Sequence, residues 1–136
     1  FLDGAIEALD APAATGEPLV ADASMDVVLS NCVLNLVNPS ARDRLLANIR
    51  GVLGPGGRVA ISDIVCDRSV PLALQQDPEL WSGCISGAWQ EEAFIADFQA
   101  LGFEQVRFAD RSETPWRVVE GIEFRAVTLT GVLKAA

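Results

Sequence analysis

Met25-Asp26-Val27-Val28-Leu29-Ser30-Asn31 and Arg58-Val59-Ala60-Ile61-Ser62-Asp63-Ile64-Val65 decide the fold. Both are short apolar runs carrying β-branched residues and lacking strict alternation. Each suits a strand covered on both faces, as in a parallel sheet. Between them, Asn38-Pro39 reads as a helix start, with Asn as N-cap and Pro in the first turn. Leu45, Leu46, Ile49, Val52 and Leu53 then recur at helical spacing and make one apolar face. Gly54-Pro55-Gly56-Gly57 reads as the stop, because glycine supplies the left-handed cap and proline blocks continuation.

Working outward, residues 11–23 are rich in Ala, Pro, Gly and Thr and read as a loop. Asp77-Pro78 opens a short predicted helix through Trp81, Cys84 and Ile85. Gln90 to Leu101 is predicted as another helix, with Phe94, Ile95, Phe98 and Leu101 on its buried face and Gly102 as its stop. Strands are expected near residues 26–32, 58–65, 104–109 and 122–133, the last pair separated by a polar loop holding Trp116. Alternating strands and helices predict an α/β sheet with parallel strands, and the closing strand pair predicts an antiparallel hairpin at one edge.

The chain has 136 residues, half of them apolar, which suits one domain with a real core. Its net charge of −9 repels nucleic-acid phosphates and anionic membranes, and no basic cluster reverses this locally. No apolar run approaches the roughly 18 residues of a membrane span. Three cysteines, an odd number, favour reduced thiols in a cytoplasm over a disulfide framework. Histidine is absent, which excludes histidine acid–base catalysis and histidine ligation within these residues.

The cysteines are the candidate chemistry. Cys32 follows a predicted strand and precedes a loop, and open α/β sheets bind ligands outside the carboxyl ends of their strands. On position alone, a buried small hydrophobe remains the alternative. Cys84 could likewise be a core position facing the same way as Leu80 and Trp81. Yet Gly83 and Gly87 flank it, and a glycine costs a helix ~1 kcal/mol relative to alanine. Glycines there suggest close backbone approach or a loop around a ligand. Cys66, beside Asp67 and Arg68, reads as an incidental thiol. Soft thiolates select thiophilic centres. Zinc normally takes four ligands, so a site of few cysteines suits trivalent arsenic better.

Three motifs carry a family resemblance: Ser30-Asn31-Cys32-Val33-Leu34-Asn35-Leu36, Val52-Leu53-Gly54-Pro55-Gly56-Gly57-Arg58-Val59-Ala60-Ile61-Ser62-Asp63, and Asp77-Pro78-Glu79-Leu80-Trp81-Ser82-Gly83-Cys84-Ile85-Ser86-Gly87-Ala88. Nearly the whole chain resembles the arsenite S-adenosylmethionine methyltransferases. The resemblance implies part of a class I methyltransferase sheet, with S-adenosylmethionine as cofactor. It implies that Cys32 and Cys84 hold trivalent arsenic and present it for methylation. Phe1 to Leu9 resembles the segment whose Gly-acid-Ile portion borders the adenine, so Gly4, Ala5 and Ile6 are expected on the cofactor side with Asn31. Ala5 stands where that family has an acidic residue. The family's glycine-rich loop, ribose carboxylate and a third cysteine have no counterpart here. The expectation is therefore a single truncated domain, 1–136, that binds the cofactor weakly or not at all when isolated.

Two other functions fit the residues. One is a thiol protein that sequesters metalloid without turnover; the other is a folded, self-associating fragment without activity. A bare edge at Met25 to Asn31 predicts a homodimer, or pairing with a missing N-terminal segment.

Overall fold

The computed structural model describes residues 3–10, 16–82 and 85–134. Its elements run β1 (Met25–Asn31), α1 (Arg42–Val52), β2 (Leu53–Cys66), α2 (Leu72–Gln75), α3 (Pro78–Ser82), β3 (Trp89–Gln90), α4 (Glu91–Ala100), β4 (Phe103–Arg111), β5 (Arg117–Val119) and β6 (Ile122–Leu133). They build a six-stranded mixed sheet ordered β1-β2-β6-β4, with β3 paired to β2 and β5 to β6. The β1–β2 pair is parallel, whereas β6 runs antiparallel to both β2 and β4. The α/β class, the strand positions and the antiparallel closing pair follow the sequence expectation. The short β3 and β5 were not anticipated.

Alternation along β2 sorts the core into two clusters. Val59, Ile61 and Val65 pack with Leu45, Ile49, Phe94 and Phe98, so α1 and α4 share one face of the sheet. Ile64 and Cys66 point the other way and pack with Val70, Leu74, Leu80, Ile85 and Phe124. Among the described residues, that second face is covered only toward the carboxyl end of β2. Toward its amino half, Val27, Leu29, Arg58 and Ala60 line a hollow of about 420 Å³ with Arg107 and Val132. Leu29 is 74% exposed and Val27 40%. Among the described residues β1 pairs with β2 alone, leaving its other edge bare.

Three local expectations need correction. The Gly54-Pro55-Gly56-Gly57 stretch lies within β2. Met25 pairs with Leu53 and Val27 with Arg58, so these glycines form an excursion between two paired segments. Gly56 takes φ +79°, and a Cβ on Gly57 would come within 2.8 Å of the Gly54 carbonyl. Asn38 does cap, its Oδ1 accepting the Ser40 N–H at 3.0 Å, but it caps a 3₁₀ turn over 39–41 from which α1 then starts. Finally, the helix predicted from Asp77 to Ile85 is described over Pro78–Ser82, its Cys84 position lies outside the described residues, and Ile85 is not helical. The Ser86 hydroxyl donates to the carbonyls of Leu74 (2.6 Å) and Asp77 (3.1 Å), and the Ile85 N–H donates to the Leu80 carbonyl at 2.9 Å.

Candidate functional site

The site begins where β1 leaves the sheet. Asn31 is the last residue in register, paired with Ser62. Cys32 then donates its backbone N–H to the Ser62 carbonyl at 2.8 Å and takes φ 56°. A left-handed conformation at a non-glycine residue is costly, of order 1–3 kcal/mol, and such strain concentrates at functional positions. Cys32 is exposed. It lines a shallow cavity of about 130 Å³ with Asn31, Asp63, Asp110 and Thr128.

β3 takes up the vacated lane three residues further along, pairing Trp89 with Val65. Asn35 fills the gap between the two. Its side-chain amide donates to the Ile64 carbonyl at 2.7 Å, replacing the absent strand partner. Its backbone N–H donates to Oδ2 of Asp63 at 3.3 Å, while the Ile64 N–H donates to Oδ1 at 3.0 Å. Asp63 is buried, at 3% exposure. Burial raises its pKa, and the backbone donors from Ile64 and Asn35 only partly oppose that. Buried Asp63 thus lines the opening beside Cys32.

Cys66, at the end of the neighbouring strand, is 1% exposed beneath the second core cluster. Burial first, then the adjacent Asp67 charge, pushes its thiol up to about 12. Its Sγ faces the Ala88 carbonyl at 3.7 Å. It is a protonated core group at neutral pH, as its reading as an incidental thiol requires. Cys84 lies outside the described residues, so its convergence with Cys32 is not seen directly. The chain on either side is fastened through Leu80, Ile85 and Ser86 as described above.

Gly4, Ala5 and Ile6 lead into a 3₁₀ turn, Ile6–Ala8, that rests on α1. Asn48 clamps it, accepting the Asp10 N–H at 3.0 Å and donating to the Glu7 carbonyl at 3.2 Å. Ile6 packs against the main core. A Cβ on Gly4 would fall 2.0 Å from Leu19 Cδ2, the end of a flexible side chain that would have to turn aside. This segment is held by α1, whereas Asn31 belongs to the opening at the end of β1.

Comparison with known proteins fits this geometry. The family model described as a methyltransferase domain matches residues 5–111. The chain belongs to that methyltransferase family. Its mixed sheet is that of the class I methyltransferases. The domain is similar to the arsenite methyltransferase of Halobacterium salinarum, 42% identical over 95 residues, which are 70% of this chain and 24% of that protein. It is 36% identical over 105 residues to the arsenite methyltransferase of Mus musculus, covering 76% of this chain and 25% of that protein. The chain thus spans about a quarter of the length of the curated relatives it matches. Among solved structures, the arsenic(III) S-adenosylmethionine methyltransferase of Chlamydomonas reinhardtii superposes with a TM-score of 0.77 at 30% identity, over 97% of this chain and 43% of that one.

Sequence reading singled out Cys32 and Asn31 at the opening but missed Asp63, Asn35 and Arg42. An aspartate inside an apolar strand was the available signal for Asp63. Asn35 lies within the first cysteine motif. Arg42 gave no signal, because a helix's first turn ordinarily holds solvated charges.

Proposed function

We propose that this chain forms part of the catalytic domain of an arsenite methyltransferase that uses S-adenosylmethionine, with Cys32 and Cys84 as ligands to trivalent arsenic. One observation carries the reading. Of the two described cysteines, the exposed one stands in a left-handed turn at the carboxyl end of a parallel strand, beside an open cavity. The relatives' names point to the same substrate. Arsenous acid would lose one hydroxide to each thiol, each leaving as water with that thiol's proton while an arsenic–sulfur bond forms. Arsenic's lone pair is then the nucleophile, so these residues need only bind and orient the metalloid.

The residues present fit one wall of an adenosine site and no more. Gly4 and Ala5 are exposed and carry no polar side-chain group, so only their backbone and Ile6 can meet the cofactor. Asn31 adds an exposed amide near the opening. When bound, S-adenosylmethionine supplies the methyl group. The isolated chain is expected to show weak cofactor binding or none by calorimetry.

The bare edge of β1 and the exposed Val27 and Leu29 favour a homodimer, or pairing with a further methyltransferase segment, which sedimentation at tens of micromolar would detect. No helix among the described residues is long and apolar enough to cross a membrane. Thiolate chemistry at Cys32 needs a reducing compartment, and we place the protein in the cytoplasm. The deciding experiment is protection of thiols from alkylation by a trivalent arsenical. Cys32→Ser and Cys84→Ser are each expected to abolish chelation, and Cys66→Ser to leave it intact. Loss on Cys66→Ser alone would refute the assignment.

A further inference from the structure

Strand register says where a regular Cys32 would point. Along β1, Ser30 pairs with Ile61 and Asn31 with Ser62. Side chains alternate between the faces of a sheet, and paired residues share a face. Asn31 therefore joins Ser62 and Thr128 on the partly open second face, where the two hydroxyls meet at 2.8 Å. One further regular residue would pair Cys32 with Asp63. Asp63 stands opposite Val127, a member of the main core, so its side chain belongs to the face covered by α1 and α4. A regular Cys32 would bring its thiol to that covered face, beside a carboxyl only 3% exposed. Instead Cys32 takes φ 56°, is exposed, and lines the cavity with Asn31, Thr128 and Asp110.

The Asp63 carboxyl accounts for the departure. After Cys32 the chain enters a 3₁₀ turn, Leu34–Leu36, whose N-cap Val33 makes no side-chain capping bond. The leading N–H groups of such a turn need an acceptor from elsewhere. Asp63 supplies it from the neighbouring strand. Its Oδ2 accepts the Asn35 N–H at 3.3 Å, and the Leu34 N–H also faces this carboxyl. Its Oδ1 accepts the Ile64 N–H at 3.0 Å, which fixes the plane of the group. Leu34 then anchors in the main core at 1% exposure, and the Asn35 amide reaches the Ile64 carbonyl. The positive charge nearest this carboxyl is that of Arg42 at the start of α1. Arg42 is itself held over the Trp89 ring, 4.8 Å from the centroid, and donates to the Gly87 carbonyl.

We infer that Asp63 is a positioning residue for Cys32. By capturing the amides of the following turn on the covered face, it turns the thiol toward the open one, where a soft centre can reach it. This rests on the reading of Cys32 as an arsenic ligand. Asp63 touches no arsenic and acts only through the path of the chain. Misplacing a reacting atom by about 1 Å can cost on the order of a hundredfold, so an orienting group of this kind matters beyond its share of stability.

The test is alkylation of the folded chain by iodoacetamide, mapped by mass at Cys32 and Cys66, with phenylarsine oxide binding as the second readout. Asp63→Ala removes both acceptor oxygens. It is expected to slow Cys32 alkylation and to weaken phenylarsine oxide binding, each about tenfold. Asp63→Asn keeps the shape and one acceptor oxygen, so it is expected to fall between the parent and Asp63→Ala. If Asp63→Ala does not fold, Asp63→Asn decides. A merely structural role would raise alkylation at buried Cys66 and leave Cys32 at the parental rate. Parental Cys32 alkylation in every folded Asp63 variant therefore overturns the inference, whatever the arsenical does. Parental phenylarsine oxide binding in Cys32→Ser overturns the arsenic reading beneath it.

Discussion

The carboxyl ends of β1 and β2 lie in adjacent lanes of one sheet and each delivers a cysteine, with opposite results. At the end of β1 the chain turns through a left-handed residue into a 3₁₀ turn, and Cys32 is exposed beside a cavity. At the end of β2 the chain runs under α2, α3 and residues 85–88, and Cys66 is sealed among Ile64, Leu80, Ile85 and Phe124. Topology alone would make both positions candidate sites, since both end parallel strands. Covering decides between them. A thiol under a hydrophobic lid is held protonated, while one at an uncovered turn can bind a soft centre.

The largest effect that could break this contrast is chemical reactivity. With its thiol raised from 9.0 to about 12, Cys66 should present about a thousandfold less thiolate than an ordinary cysteine at pH 8. Mass-mapped alkylation of the native chain is expected to label exposed Cys32 far faster than buried Cys66. Comparable rates at the two positions would end the distinction.

Lid removal sharpens it. Phe124 pairs with Cys66 across the β2–β6 ladder and is fully buried. Phe124→Ala is expected to cost about 3–5 kcal/mol in urea unfolding and to speed Cys66 alkylation. Leu29→Ala, on the open half of the same face, should change stability by no more than about 0.5 kcal/mol. A large loss at Leu29 in the isolated chain would mean that this face is already covered, as by a second copy.

Which parts of this contrast could be read in advance follows from the physics of each residue. Val27-Val28-Leu29 and Val59-Ala60-Ile61 announced parallel strands because branched apolar residues leave few alternatives; β2 is buried as expected, but β1, expected to be covered on both faces, leaves Val27 and Leu29 exposed. The helix of Phe94 and Phe98 announced itself by period, and Gly102, at φ +97°, ends it as expected. Cys32 was legible as the end of a strand, but its left-handed turn was not, since that depends on Asn35 and Ser62 gripping the chain from outside. The fastening of residues 85–86 depends on a Ser86 hydroxyl finding two carbonyls from earlier turns. Arg42 was invisible for the same reason, and Asp63 announced only its place in an apolar strand, because a charge is buried by what surrounds it and not by its own neighbours in sequence.

Asp63 lies between the two strand ends and offers a smaller, pH-dependent test. Its folded pKa is raised by burial, so the folded chain holds that proton more tightly than the unfolded one. The resulting stability is fully present below the ordinary carboxyl value of about 3.9 and is lost as pH rises through the folded value. Asp97 is raised as well, by burial and then by Asp43, and adds in the same direction. Urea unfolding from pH 4 to 7 is therefore expected to show a decline in stability that Asp63→Asn makes shallower. A parallel decline in the variant would show that Asp63 titrates alike in both states.

The smallest effect is the one most specific to the β1 end. Cys32 is held at φ 56°, a conformation glycine enters without a Cβ clash. Cys32→Gly removes that clash but also frees the unfolded chain, and the two partly cancel. It also leaves intact the Cys32 backbone N–H donated to Ser62. The net expectation is a gain of up to about 1 kcal/mol in urea unfolding, accompanied by complete loss of arsenical chelation. Cys32→Ala, which keeps the Cβ and loses the thiol, separates the two consequences. It should lose chelation equally while gaining no stability. If Cys32→Gly were instead the less stable variant, the cysteine would be contributing packing at an exposed turn. The left-handed geometry would then reflect the path of the chain and carry no functional cost.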